Sequence, residues 1–150
     1  MSDPRVLIVE SNDVLRVMLF TILRHQPLAV DTAASAEEAL ERVSKCDYAL
    51  IVLDMDMPDD DATVFLEEFR GSRPDATSFI LAVRDPNGAS KIDASHVSAV
   101  LNKPLEIDTM AEVVRECAPL VPPPEEPLPC PPAESDVRAR MDRSGSYYSN

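Results

Sequence analysis

The chain has 150 residues and carries 27 acids against 14 Lys and Arg, for a formal charge of −13. That balance disfavours binding to nucleic acid or an anionic membrane through the bulk surface and favours a cationic partner or a metal. With 45% hydrophobic residues it can build one ordinary domain with its own core. Cys46, Cys117 and Cys130 show neither C-x-x-C spacing nor an even count, so they read as reduced thiols in a cytoplasm rather than a disulfide framework or a zinc site. The first apolar run, Val6 to Val9, is too short for a signal peptide or a membrane span.

The elements follow in order. Arg5 to Val9 reads as a strand, and Glu10-Ser11-Asn12-Asp13 offers caps for a helix from Val14 to Leu23. Leu15, Met18, Leu19, Ile22 and Leu23 recur at helical spacing as a core-facing stripe. Val14, Val17 and Phe20 fall outside it and make a candidate partner surface. Leu28 to Val30 is a second strand, and Ser35 to Glu38 fits a capping box opening the next helix. In Tyr48 to Pro58 an apolar run ends abruptly in carboxylates. Ile51, Val52 and Leu53 are apolar on both faces, as in a central parallel strand, and the run delivers Asp54 to the carboxyl end where such sheets place their chemistry.

After Pro58, Asp59, Asp60 and Asp61 favour a helix start, Val64, Phe65, Leu66 and Phe69 give a buried face, and Gly71 suits a C-terminal cap. Ser78 to Val83 is the fourth strand. Pro86 and Asn87-Gly88 weaken the pattern from Arg84 to Ser95, so any fourth helix there is short. Val97 to Leu101 is the fifth strand, followed by Lys103-Pro104 and an amphipathic helix marked by Ile107, Met110, Val113, Val114 and Cys117. His25 and His96 have no partner pattern. Residues 1–118 therefore form one domain. Residues 119–150 read as a Pro-rich, disordered tail with frequent P-x-x-P matches such as Pro124 to Pro127, ending in a small basic-aromatic terminus with Arg138, Arg140 and Arg143.

Alternating strands and helices imply a doubly wound α/β domain with a five-stranded parallel sheet. In the strand order 2-1-3-4-5 the ends of strands one and three flank the switch point, so Glu10 and Asp54 meet there and Lys103 arrives from strand five. Carboxylates converging on one crevice call for a cation, and hard oxygen ligands with positions open to water suit magnesium. Such a site leaves Asp54 able to attack phosphorus in line while Lys103 holds a phosphoryl oxygen.

Val9-Glu10, Asp54-Met-Asp-Met-Pro58 with Asp61 beyond it, and Lys103-Pro104 together resemble the receiver domain of bacterial two-component response regulators, over nearly all of residues 4 to 118. The resemblance implies a flavodoxin-like receiver fold, Asp54 as phosphoacceptor, Glu10 and the Asp56 backbone carbonyl on the magnesium side, and Lys103 as the phosphate-binding cation. It implies a cytoplasmic, stand-alone receiver in a phosphorelay, an atypical one, with a sensor histidine kinase or phosphotransfer protein upstream and an effector protein downstream. A homodimer is compatible with this reading, and a kinase or phosphotransfer helix could dock on the first helix. No enzymatic turnover is implied beyond self-catalysed phosphoryl transfer and autodephosphorylation.

Departures from the family pattern cluster at the site. Ser11 replaces a second metal-binding acid, which lowers the expected metal affinity unless the Asp56 side chain turns inward. Val83 replaces a phosphoryl-binding Thr or Ser, and Val100 replaces a Tyr or Phe that swings inward. Arg84 replaces a small residue and could fill the pocket by pairing with Asp54 or Asp56. These departures motivate a second reading, a receiver-like binding module independent of phosphorylation. Asp54-Met-Asp56 also resembles the D-x-D motif of haloacid-dehalogenase-type phosphohydrolases, but its position in the chain and the following Met57-Pro58 do not match theirs.

Overall fold

A computed structural model of the chain describes residues 3–88, 92, 93 and 95–137. Strands β1 (Arg5–Val9), β2 (Ala29–Ala33), β3 (Leu50–Asp54), β4 (Phe79–Arg84) and β5 (Ala99–Asn102) alternate with helices α1 (Asp13–Leu23), α2 (Ala36–Lys45), α3 (Asp61–Ser72) and α4 (Ile107–Cys117). All pairings are parallel, and the strand order is β2-β1-β3-β4-β5, as the sequence predicts. Among the described residues no helix is long and apolar enough to cross a membrane.

The central strands are apolar at successive positions because both sheet faces are covered. On one face Leu7, Val9, Ile51, Leu53 and Ile80 pack with Val43 of α2 and Phe65 and Phe69 of α3. On the other, Val6, Ile8, Val52, Leu81 and Val83 pack with Leu19, Phe20 and Leu23 of α1 and Met110 and Val114 of α4. Local chemistry sets the helix starts. Asn12 Oδ1 accepts from Leu15 N at 3.0 Å to cap α1. Ser35 Oγ accepts from Glu38 N, while the Glu38 carboxylate accepts from Ala34 N, which makes the predicted capping box reciprocal one residue further out.

Some expectations need correction. Phe20 is buried, whereas Leu15 and Met18 are exposed beside Val14 and Val17. The apolar stripe left in solvent on α1 is thus Val14, Leu15, Val17 and Met18, because the sheet and α4 cover a narrower arc of the helix than the sequence period suggests. β2 runs on through Asp31 and Thr32, polar residues that masked its length. Gly71 lies inside α3 rather than beyond it. Between β4 and β5 the described residues form turns and no helix.

The cysteine reading is also overturned, since Cys46 and Cys130 form a disulfide and Cys117 alone is free. Spacing could not show this pair, because the sheet edge brings together residues 84 apart in sequence. The Pro-rich stretch after α4 stays outside the sheet, yet Glu134 and Ser135 bond to β2 at the start of a helical turn, Ala133 and Ser135 are buried, and Leu128 N bonds to Asp47 just beyond α2. The basic-aromatic terminus with Arg138, Arg140 and Arg143 lies outside the described residues.

Candidate functional site at the carboxyl end of the sheet

Strand register assembles the site. Val9 pairs with Leu53, so Glu10 leaves β1 level with Asp54 at the end of β3. Asp54 pairs with Val83 and Arg84 with Asn102, so Lys103 emerges beyond the sheet and its long side chain reaches back across β4. Lys103 N donates to Arg84 O at 2.7 Å, which fixes the start of that reach, and Lys103 joins Pro104 through a cis peptide bond.

Asp54 is buried, 8% exposed, and its Oδ1 accepts from Lys103 Nζ at 2.9 Å and from Asp56 N at 3.0 Å. Lys103 Nζ also lies 3.0 Å from Asp56 Oδ2, which in turn accepts from Asp85 N at 2.8 Å. The Asp56 side chain is therefore engaged by an ammonium and a backbone amide rather than turned toward Glu10. Gly88 permits the close approach of the β4–β5 loop, since a Cβ there would sit 3.2 Å from Asp56 Oδ1. The acids Asp59, Asp60 and Asp85 line, with Asp56 and Lys103, an open cleft of about 530 Å³ above the strand ends. Asp59 and Asp60 both hold a left-handed backbone, a conformation Asp tolerates better than most residues. Asp61 begins α3 and accepts from Ala36 N at 2.8 Å, tying that helix to the start of α2.

The electrostatics follow from burial. Desolvation pushes Glu10 up to about 7, helped by its hydrogen bond to Asp54 and by the Asp54 charge. Burial also works to raise Asp54, but hydrogen bonds from Glu10, Lys103 and the Asp56 amide outweigh it and hold that carboxyl below the usual range. Lys103 loses solvation too, yet the hydrogen bonds and charges of Asp54 and Asp56 lift it above an ordinary lysine. Near neutrality the site holds an ionised Asp54, an ammonium, and a Glu10 whose burial and hydrogen bond to Asp54 favour its protonated form.

Glu10, Asp54, Asp56 and Lys103 thus come together. Among the described residues, no group of three or more His, Cys, Asp or Glu is arranged to hold a metal ion. Glu10 and Asp54 are a two-carboxylate set, which fits magnesium, an ion that takes one or two carboxylates and keeps several waters. Ser11 follows Glu10 and brings no third carboxylate.

The remaining positions read differently. Val83 is buried beside Asp54 and offers only hydrocarbon. Val100 stands 41% exposed on β5, with no ring to swing inward. Arg84 pairs with neither Asp54 nor Asp56, which corrects the expected blockage: Lys103 engages both carboxylates, and among the described residues the buried Arg84 Nε has no hydrogen-bond partner. The amides of Asp56 and Asp85 were not foreseen, since backbone donors leave no mark on sequence.

Comparison with known proteins agrees with this geometry. Residues 6–115 match the family described as the response regulator receiver domain. Over 81 residues the chain is 35% identical to the transcriptional regulatory protein PmrA of Pectobacterium parmentieri, covering 54% of this chain and 36% of that one. The chain thus spans about a third of that relative's length. The structure is similar to that of a Francisella response regulator 1452 receiver domain, with a TM-score of 0.67, 21% identity and coverage of 79% and 98% of the two chains. It is also similar to that of the Thermotoga maritima response regulator TrrA solved with Mg2+ and BeF, with a TM-score of 0.63, 25% identity and coverage of 76% and 98%.

Proposed function

The chain belongs to the response regulator receiver family of two-component systems, and from that premise we propose that Asp54 accepts a phosphoryl group in phosphorelay signalling. The observation that carries the proposal is the Lys103 ammonium 2.9 Å from a buried, ionised Asp54. Asp54 attacks phosphorus in line, a new P–O bond forms to its carboxylate, and the bond to the donor's nitrogen or oxygen breaks. Lys103 keeps its proton throughout and shifts its charge toward the incoming phosphoryl oxygens. Glu10 and Asp54 would hold magnesium, which would supply further positive charge for those oxygens. Glu10 would lose its proton to admit the ion.

The donor is a sensor histidine kinase or phosphotransfer protein and the recipient an effector protein, in a cytoplasmic setting. The exposed α1 stripe of Val14, Leu15, Val17 and Met18 beside the site is the surface offered to the donor. Incubation with magnesium and a small acyl phosphate tests the reading. One phosphoryl mass increment, absent from Asp54→Asn, supports it. No increment in folded protein rejects it.

A second reading, a binding module independent of phosphorylation, rests on Val83 and Val100, which cannot respond to a phosphoryl group through a hydroxyl or a ring. It predicts that Asp54→Asn binds the effector as tightly as the unaltered chain does. The D-x-D hydrolase resemblance gains nothing from the site, where the Asp56 carboxylate is committed to Lys103 and Asp85 N.

A further inference from the structure

β2 is an edge strand, and a bare edge presents unpaired amides to any passing strand. Here it is covered by the chain's own segment 128–135, through side chains rather than a sixth strand. Val30 N donates to Ser135 Oγ at 2.8 Å, and Thr32 N donates to the Glu134 carboxylate at 2.8 Å. The same carboxylate accepts from Thr32 Oγ1 at 3.0 Å and pairs with Arg42. Glu134 N donates to Asp31 at 2.8 Å, Arg5 donates to Pro131 O, and Leu128 N donates to Asp47 at 2.6 Å. Asp31 is fully buried and is shared between this segment, Arg5 and the Tyr48 hydroxyl. Within the same segment Cys130 is bonded to Cys46 at the end of α2.

We propose that the outer edge of β2, with Asp31, Thr32 and Arg42, is a docking site for a peptide that enters a helical turn there, that its resident is segment 128–135, whose helical turn begins at Glu134, and that the Cys46–Cys130 bond locks it there. A dithiol reductant releases the lock. Its thiolate attacks Cys130 Sγ, the exposed partner, and the S–S bond breaks with Cys46 leaving as thiolate. The second thiolate then displaces Cys130. The reductant departs as a disulfide having given two electrons, and the two cysteines take up two protons. In a reducing compartment such a bond is transient and reports redox state. Once it opens, the Pro-rich linker holds the segment near the edge only by tethering, so the segment exchanges on and off. The lock sits on the sheet edge and does not depend on whether Asp54 is phosphorylated.

The test uses the full chain and amide hydrogen exchange. In oxidised protein one thiol titrates, Cys117, and the amides of Val30 and Thr32 exchange slowly. With dithiothreitol three thiols titrate, and those two amides speed up by roughly tenfold or more, while amides of β1 and β3 stay protected. Cys130→Ser gives the fast pattern without reductant. Glu134→Ala combined with Ser135→Ala, which keeps the disulfide, also speeds both amides. Three thiols in protein exposed to oxidant, unchanged exchange on reduction, or no response to the double substitution would each overturn the proposal.

Discussion

Lys103 Nζ stands 2.9 Å from Asp54 Oδ1, closing the carboxyl end of β3 with a charge delivered from beyond β5. Removing that charge should cost reactivity more than folding, because the lysine is one-third exposed and its ion pair is partly solvated. Lys103→Ala is expected to slow acyl-phosphate labelling of Asp54 by about 100-fold or more, the usual cost of losing one donor aimed at developing charge. Intact-mass labelling time courses in magnesium check it. An unchanged rate would show that Lys103 has no part in transfer.

Glu10 gives stability an unusual pH dependence in metal-free protein. Its folded pKa, about 7, lies above the ordinary value of 4.5. Between those values the folded state holds the proton that the unfolded chain has released. The contribution of this group to stability is therefore full below pH 4.5, falls as pH rises toward 7 and levels off above that. Asp54 works in the opposite sense in acid, where its depressed pKa makes stability fall as pH drops below 3.8. Melting temperatures in EDTA should decline from pH 5 to 7.5, and Glu10→Gln should flatten the decline.

Ser11→Asp restores a third carboxylate next to Glu10. Ligand charge count tunes hard-cation sites strongly, so magnesium affinity is expected to rise by roughly tenfold or more. The same substitution without magnesium should destabilise the fold, because it adds a negative charge near the ionised Asp54 with no cation to offset it. Titration calorimetry with Mg2+ and a urea melt in EDTA read the two effects separately.

The helix face gives a stability contrast. Phe20 lies in the core with Leu23 and Val30, while Val17 is 58% exposed. Phe20→Asp is expected to cost more than about 4 kcal/mol, through lost packing and a buried carboxylate. Val17→Asp should stay within about 1 kcal/mol while weakening the docking of a phosphoryl donor. Urea unfolding together with transfer from a phosphotransfer protein checks both. Equal destabilisation by the two substitutions would contradict the burial assigned to them.

How much of this was legible in the sequence depends on the period of each signal. Ile51 to Asp54 announces a buried strand ending in a carboxylate because a central strand is apolar on both faces, and the sheet order follows from alternation. Glu10, Asp54 and Lys103 were legible as a set because each lies at a strand's carboxyl end or directly after it. The arc of α1 was not, since Leu15 and Phe20 differ in burial by geometry at the helix crossing and not by type. The outer half of β2 was hidden by Asp31 and Thr32, whose partners Arg5, Tyr48 and Glu134 lie far away in the chain. The disulfide was hidden for the same reason.

The Cys46–Cys130 bond should also carry global stability, apart from its control of the β2 edge. It closes a loop of 84 residues, and the chain-entropy estimate for such a loop is about 4.5 kcal/mol. Reduction removes that constraint from the unfolded ensemble without touching the core of β1, β3 and β4, so the fold persists with a lower urea midpoint. Cys46→Ser should lower the midpoint equally in oxidising buffer, and dithiothreitol should then add nothing, because Cys117 has no partner to lose. A midpoint in the unaltered chain that ignores reductant would mean that the bond does not form in solution. A further drop on reducing Cys46→Ser would mean that Cys117 and Cys130 can pair when Cys46 is missing, and intact-mass analysis after alkylation would identify that pair.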